Sequence, residues 1–429
     1  MNIVTAVTSD GTYPRYLTVM LYSLFVNNPN EDVEVYVLHD GLSDAEISVL
    51  NQCAKSEKWK DNKEIIPVYV DAKLFDKADT TGFSVGTYFR LLMFDLLPDT
   101  IERLLYLDVD LIVNKSLEGL YKTEFNGNYI VACSHGFEKE EVFRKVKEGI
   151  LFPQKGECFN AGVMLYDFQK MKKAYSFNSF KQYLGNEDIY YDQGLLNHLF
   201  WDKTEYLPTG IYNNRGHDYK AEISDSVIIH YADANPWEMM FTKEDLLMLN
   251  QYEVLSGKRR DCLNEYYIDM VSVWWEYAKN SVFYSEFCRE AEIMHRYFMD
   301  RIVRTYFQNI EKDYRILKFK EKLLERIMDG RFIRKLKEEK GIEKCSVYGM
   351  GYFGTMVSSY LRQYIEIPYY VDRFKRDNTD IDYRTIDQIS DTDIPVLICV
   401  WNADKYLEHE IKLHTKAEVI LLSRLLGDD

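Results

Sequence analysis

The segment Leu104-Leu105-Tyr106-Leu107-Asp108-Val109-Asp110-Leu111-Ile112-Val113 constrains this chain more than any other. An apolar run of that kind reads as a buried strand. Two carboxylates at its end would titrate or destabilise the fold unless a compensating charge met them. On extended backbone residues i and i+2 point to the same side. Asp108 and Asp110 can therefore face one hard divalent cation, Mn²⁺ or Mg²⁺, together with diphosphate oxygens. An Asp-x-Asp triplet alone also serves turns and helix N-caps, and it is the strand before it that favours the cation.

The surrounding pattern supplies a fold class. Strand Ile3 to Val7 runs into the turn Thr8-Ser9-Asp10-Gly11, and Tyr16 to Phe25 then has helical spacing. Strand Val33 to Leu38 precedes Gly41-Leu42-Ser43, where Ser43 and Glu46 form a capping box for the next helix. Strand Ile65 to Val70 follows. Such alternation predicts an α/β fold with an open, largely parallel sheet, in which ligands sit beyond the carboxyl ends of the strands. Asp10 and the Asp108/Asp110 pair both fall at such ends. Further along, Val85 to Leu92 predicts a helix that Pro98 stops, Cys158 to Leu165 a turn and strand, Asp192 to Asn197 a helix start, and Val227 to His230 a strand ending in a histidine.

From about Met239 to Lys340 the pattern is helical, rich in aromatics, and basic between Arg296 and Lys344. That reads as a solvated helix face or a linker, or else as a basic amphipathic surface in peripheral contact with anionic lipid. A third unit begins near Gly341. Strand Cys345 to Tyr348 leads into Gly349-Met350-Gly351-Tyr352-Phe353-Gly354, a helix follows, and the next strand ends at Asp372. This is a Rossmann-like βαβ pattern, whose glycines can admit a diphosphate to a helix N-terminus. Close helix-to-strand packing alone would ask for the same glycines.

Composition narrows the rest. With 429 residues the chain exceeds one ordinary core. The predicted division is an α/β domain over 1–240, a helical extension over 241–340 and a Rossmann-like domain over 341–429. A formal charge of −16 argues against a general nucleic-acid binder, which needs phosphate-neutralising Lys and Arg over much of its surface. Seven scattered cysteines without Cys-x-x-Cys spacing fit reduced thiols rather than a disulfide framework or a zinc site. With no basic region followed by an apolar core at the start, and no stretch of membrane-spanning length, the expected location is cytoplasmic, with peripheral contact at the inner face of the membrane as the variant.

Six blocks, in order, resemble family 8 glycosyltransferases, the group that includes bacterial lipopolysaccharide galactosyl- and glucosyltransferases and glycogenin. They are Ser9-Asp10-Gly11-Thr12-Tyr13, Thr87-Tyr88-Phe89-Arg90-Leu91, Tyr106-Leu107-Asp108-Val109-Asp110, Phe159-Asn160-Ala161-Gly162, Asp192-Gln193, and His230-Tyr231 followed by Pro236-Trp237. The resemblance covers somewhat more than half the chain. It implies a GT-A nucleotide-diphospho-sugar transferase fold, a UDP-sugar donor, a Mn²⁺-like cofactor, and retention at the anomeric carbon. It further implies Asp108, Asp110 and His230 as metal ligands. Asp10, Tyr13, Arg90, Asp108, Asn160, Ala161 and Asn235 fall on the donor side, with Asp192 and Gln193 at the reacting face. The implied acceptor is a carbohydrate, a lipid-linked glycan or a glycoprotein, and the transferred sugar is glucose or galactose.

Plainer readings stand beside these roles. His230 could be a core histidine held by a backbone group, Arg90 a surface residue paired with Asp95, Asp192 an N-cap, and Asp10 and Tyr13 turn residues. Two blocks also depart from the family pattern. Asp233-Ala234-Asn235-Pro236-Trp237 is a residue shorter than usual and lacks the lysine that reaches the diphosphate, and Thr8 stands where many members carry an acid that reads uracil. A nucleotidyltransferase, and a non-catalytic subunit that binds a partner glycosyltransferase, are the competing functions. A homo-oligomer is compatible with all three.

Overall fold

The computed structural model describes residues 1–9, 11–81, 83–134, 158–186, 189, 191–216, 221–232, 235–239, 241–251, 264–373, 382–390, 392–403 and 405–427. The chain divides into two compact units, Met1–Val303 and Arg304–Asp429.

In the first unit, seven strands form one sheet in the order β3-β2-β1-β4-β7-β6-β8. They are β1 (Asn2–Val7), β2 (Val33–His39), β3 (Lys63–Tyr69), β4 (Arg103–Leu107), β6 (Ile130–Ser134), β7 (Phe159–Asp167) and β8 (Thr204–Leu207). The strands β1 to β4 are parallel, whereas β7 runs antiparallel to both its neighbours, so the sheet is mixed. Alternate residues enter cores on opposite faces. Ile3, Val7, Val35 and Leu105 lie on one side, and Val4, Tyr36, Leu38 and Leu104 on the other, as the period of two along a strand requires.

Helix α1 (Tyr13–Asn27) opens with Pro14 in its first turn and buries Leu17, Met20, Leu21 and Leu24 in the first of these cores. The capping box that starts α2 (Asp44–Cys53) is present, with Glu46 Oε2 accepting from Ser43 N at 2.8 Å. Val85–Leu92, predicted as a helix, is a 3-10 segment followed by a single α turn, Met93–Leu96. Ser84 Oγ accepts from Gly86 N, and Gly86 backs onto Thr8, where a Cβ would lie 3.1 Å from Thr8 Cγ2. That close approach fits the tighter winding.

The strand expected to end at the two carboxylates does so, and the apolar residues after them form a second element. The chain leaves the main sheet after Leu107, bends through Asp108-Val109-Asp110, and resumes as β5 (Leu111–Val113). There it pairs antiparallel with β9 (Ile228–His230), with Leu111 opposite His230. Extended pleating therefore does not aim the two carboxylates; the bend does, and the second sheet delivers the histidine to them.

The second unit holds a five-stranded, all-parallel sheet in the order β12-β11-β10-β13-β14. Its strands are β10 (Ser346–Tyr348), β11 (Tyr370–Val371), β12 (Tyr383–Arg384), β13 (Val396–Ile398) and β14 (Val419–Leu421). Two of the three glycines after β10 answer to packing. A Cβ on Gly349, whose φ is +85°, would lie 2.7 Å from Val400 Cγ2, and one on Gly354 would lie 2.2 Å from the carbonyl oxygen of Gly349. The helical region includes Glu265–Ala278 and the 45-residue helix Tyr284–Met328. The cysteines among the described residues are all free, and no helix among them is long and apolar enough to cross a membrane.

Candidate active site

Asp108, Asp110 and His230 each offer a ligand atom, and these atoms lie within 4.8 Å of one another. His230 is buried at the end of β9, with Nε2 3.3 Å from Asp110 Oδ1 and 3.7 Å from Asp108 Oδ2. Its other nitrogen, Nδ1, is 2.9 Å from Asn213 Oδ1. An amide oxygen can only accept, so Nδ1 carries a proton, and when the ring is neutral its lone pair is at Nε2. Burial pushes the imidazole pKa down, but Asp110 and then Asp108 outweigh it, and the net shift is upward. The same attraction overcomes the effect of burial on Asp110 and holds its carboxyl below its ordinary value.

Asp108 is fixed from behind. Its Oδ1 accepts from Arg90 Nη2 and from Tyr106 Oη, both at 2.9 Å, which turns Oδ2 toward the histidine. Arg90 is buried, lies over the Tyr106 ring at 3.9 Å, and also donates to Thr87 O and Ala161 O. Its Nε is 3.0 Å from Asp192 Oδ2. Pairing with Asp95 does not occur, since Asp95 Oδ2 accepts from Phe177 N. Asp192, at the start of helix Tyr191–Phe200, is buried, and its Oδ2 has no hydrogen-bond partner despite the nearby guanidinium. Burial raises its pKa by more than Arg90 lowers it.

A chain of amides joins the remaining residues. Gln193 Oε1 accepts from Ala161 N at 2.9 Å and from Asn160 Nδ2 at 3.2 Å. Asn160 Oδ1 in turn accepts from Asn213 Nδ2 at 2.9 Å and from Gly162 N at 3.0 Å. Gln193 is thus tied to His230 through Asn160 and Asn213. Neither Asn213 nor the steric demand at Gly162 is readable from the sequence, where Asn213 stands in an ordinary polar run. A Cβ on Gly162 would lie 2.2 Å from His230 Cε1 and 2.6 Å from Asp108 Oδ2. The bare glycine keeps room for the three ligands to converge.

The other predicted residues sit as follows. Tyr13 makes an edge contact with Trp237 at 5.8 Å, and burial and the nearby Asp110 push its phenol up to about 12. Trp237 stacks on Tyr16 at 3.8 Å, which brings the segment after His230 back onto α1. Asn235 Nδ2 donates to Glu238 Oε1. Asp10 lies outside the described residues.

Two carboxylates and a neutral imidazole suit a borderline-hard divalent ion such as Mn²⁺. The convergence of the three side chains over Gly162 and the direction of Nε2 toward both carboxylates agree with that donor set, so the residues present fit such an ion.

Among proteins of known family, a putative glycosyltransferase of Haemophilus influenzae is 29% identical over 50% of this chain and 62% of its own length. An Escherichia coli lipopolysaccharide 1,2-glucosyltransferase is 25% identical over 53% and 71%. An active-site mutant of LgtC, known from its crystal structure, aligns with a TM-score of 0.49 at 23% identity, over 66% of this chain and 96% of that one. The profile described as glycosyl transferase family 8 matches residues 4–240, a span holding all of the clustered ligands and more than half of the chain, and the protein therefore belongs to that family of glycosyltransferases.

Proposed function

We propose that this glycosyltransferase is metal-dependent and moves a hexose, glucose or galactose, from a UDP-sugar to a hydroxyl of a surface polysaccharide, a lipopolysaccharide or a glycoprotein, with retention at the anomeric carbon. The observation that carries the reading is the convergence of Asp108, Asp110 and His230 over Gly162. The lipopolysaccharide glucosyltransferase among the relatives supports the donor and acceptor classes. A divalent cation bound at these three residues would neutralise charge developing on the departing diphosphate.

The chain's own groups do the positioning. Arg90 and Tyr106 fix Asp108, and Asn213 fixes the His230 ring. Asp192 offers a buried carboxylate oxygen without a hydrogen-bond donor, which a hydroxyl of the donor sugar would satisfy. Gln193, held through its carbonyl oxygen by Ala161 and Asn160, stands at the reacting face and steadies the oxocarbenium-like carbon. The acceptor oxygen bonds to the anomeric carbon on the face from which UDP leaves, and its proton passes to the departing UDP oxygen.

A panel of nucleotide sugars incubated with Mn²⁺ and no acceptor tests this, because slow hydrolysis needs none. UDP release from a UDP-hexose, abolished by chelation, is the expected result. Release of pyrophosphate would point to nucleotidyl transfer instead. No turnover, together with no metal-dependent heat on titrating UDP, would mark a non-catalytic partner subunit.

A further inference from the structure

The part of the long helix that belongs to the second unit has two apolar faces, and among the described residues only one of them is covered. Phe319 and Leu323 are buried against the second unit's core, with Ile316 and Ile327 packed beside them. On the opposite side Phe307, Tyr314 and Met328 recur at intervals of seven, with Glu321 completing the series. Ile310, Leu317 and Leu324, three residues after the first three of these, recur at the same interval. This is the a/d repeat of a two-stranded coiled coil, with Phe307 at an a position and Ile310 at a d position. These side chains face solvent: Phe307 is 63% exposed, Tyr314 58%, Leu317 51% and Met328 86%. Scattered apolar residues on a surface are ordinary, whereas a stripe running roughly 30 Å along a helix at 1.5 Å per residue marks an interface.

We propose that this stripe pairs with the same stripe of a second copy of the chain in a parallel, in-register coiled coil. The flanking charges choose this occupant. Asp313 and Lys320 lie at g positions, and Lys318 and Glu325 at e positions. In a parallel pair each g residue meets the e residue five places on in the other helix. Asp313 then faces Lys318 of the second copy, and Lys320 faces Glu325, so both contacts are attractive. Within one chain Lys318 meets the exposed Glu321 at 2.9 Å and lies over the Tyr314 ring at 5.7 Å, exposed contacts of little energetic weight. Glu321 itself occupies a seam position. A polar group there lowers stability while fixing register, and Lys318 beside it offsets its charge. An anionic lipid surface is a poorer match, because Glu311, Asp313, Glu321 and Glu325 interleave with the stripe.

Sedimentation equilibrium of the full chain tests the pairing. The wild type should sediment as two chains. Ile310→Asp combined with Leu317→Asp should weaken association by more than about 100-fold, and Glu321→Leu should strengthen it at least about tenfold, because seam positions favour apolar side chains. Those substitutions act in opposite directions at exposed positions, so misfolding cannot produce both results. Tyr314→Cys should cross-link two chains under mild oxidation and Gln308→Cys should not, which reads orientation and register together. A monomeric wild type, a dimer insensitive to the aspartate pair, or no tightening by Glu321→Leu would overturn the proposal. So would a monomer that pellets with vesicles containing phosphatidylserine, which would assign the stripe to lipid.

Discussion

Asn213 and Asp110 hold the His230 ring from opposite sides: Asn213 Oδ1 is 2.9 Å from Nδ1, and Asp110 Oδ1 is 3.3 Å from Nε2. The asparagine sets which nitrogen keeps its proton, and thereby which one can bind a cation. It has a second task, since its Nδ2 donates to Asn160 and so connects the ring to the residues that hold Gln193.

Replacing Asn213 with Leu should lower Mn²⁺ affinity about 10- to 100-fold, the usual consequence of losing a group that orients a metal-ligating histidine. Asn213→Asp keeps an acceptor at Nδ1 and should retain more affinity than the leucine variant. Free Mn²⁺ measured by electron paramagnetic resonance during titration gives the comparison without any turnover. Equal affinities across the wild type and both variants would remove Asn213 from the site's construction.

Gly162→Ala places a methyl group where His230 Cε1 and Asp108 Oδ2 already stand, at 2.2 Å and 2.6 Å from the new carbon. Those atoms belong to packed, hydrogen-bonded side chains, so the strain should cost about 1–3 kcal/mol of stability. Displacing two ligands at once should also remove most Mn²⁺ binding. Urea denaturation and metal titration of the same sample separate the effects, and a variant that binds Mn²⁺ like the wild type would show that the three ligands do not converge over this glycine.

Arg90 is the buried cation shared by Asp108 and Asp192. Arg90→Met would leave both carboxylates without it, and breaking a buried ion pair from one side costs about 3–5 kcal/mol. Arg90→Lys should lose less, because the charge stays while the fork that reaches Asp108, Thr87 and Ala161 together is gone. Chemical denaturation should rank the proteins wild type, lysine, methionine. A methionine variant as stable as the wild type would mean that the carboxylates find another partner or are protonated without cost.

Much of this was legible in the chain because its signals are local. The strand spacing from Ile3 to Val70, the Ser43–Glu46 capping box and the strand that ends in His230 each rest on a few adjacent residues, and all appear where expected. The strand end at Asp108 and Asp110 was legible, but not the passage of Leu111–Val113 into a second sheet, because an apolar run reads alike whether it stays in one sheet or joins another. What decides it is pairing with Ile228–His230, more than a hundred residues away. Tertiary pairing likewise hides Asn213, 17 residues before His230, and Asp108 and Asp192 as the charges that Arg90 serves, because no local pattern joins them. Gly162 could be quoted from the family pattern, yet the reason for it, two side chains from elsewhere filling its Cβ position, exists only in three dimensions.

Glu408 gives the second unit a pH dependence that can be read apart from the site. Its carboxylate is buried, accepts from Lys412 at 2.7 Å and is clasped by Arg424 at 2.9 and 2.8 Å. Lys412 is the largest influence on it; together with Arg424 it outweighs burial and holds the pKa below its ordinary value. A carboxyl with a depressed folded-state pKa contributes stability that is fully present above its unfolded pKa, about 4.3, and is lost as pH falls through the lower folded value. At neutral pH, Glu408→Gln should therefore destabilise the second unit by about 1–2 kcal/mol, with partial exposure of both cations keeping the figure modest. The gap between variant and wild type should close as the pH is taken below about 4, where the glutamate becomes neutral too. Thermal melts of the full chain followed across that range, with a transition assigned to residues 304–429 by hydrogen exchange, provide the measurement. A difference that stays constant with pH would show that the effect is one of packing and not of the Glu408 charge.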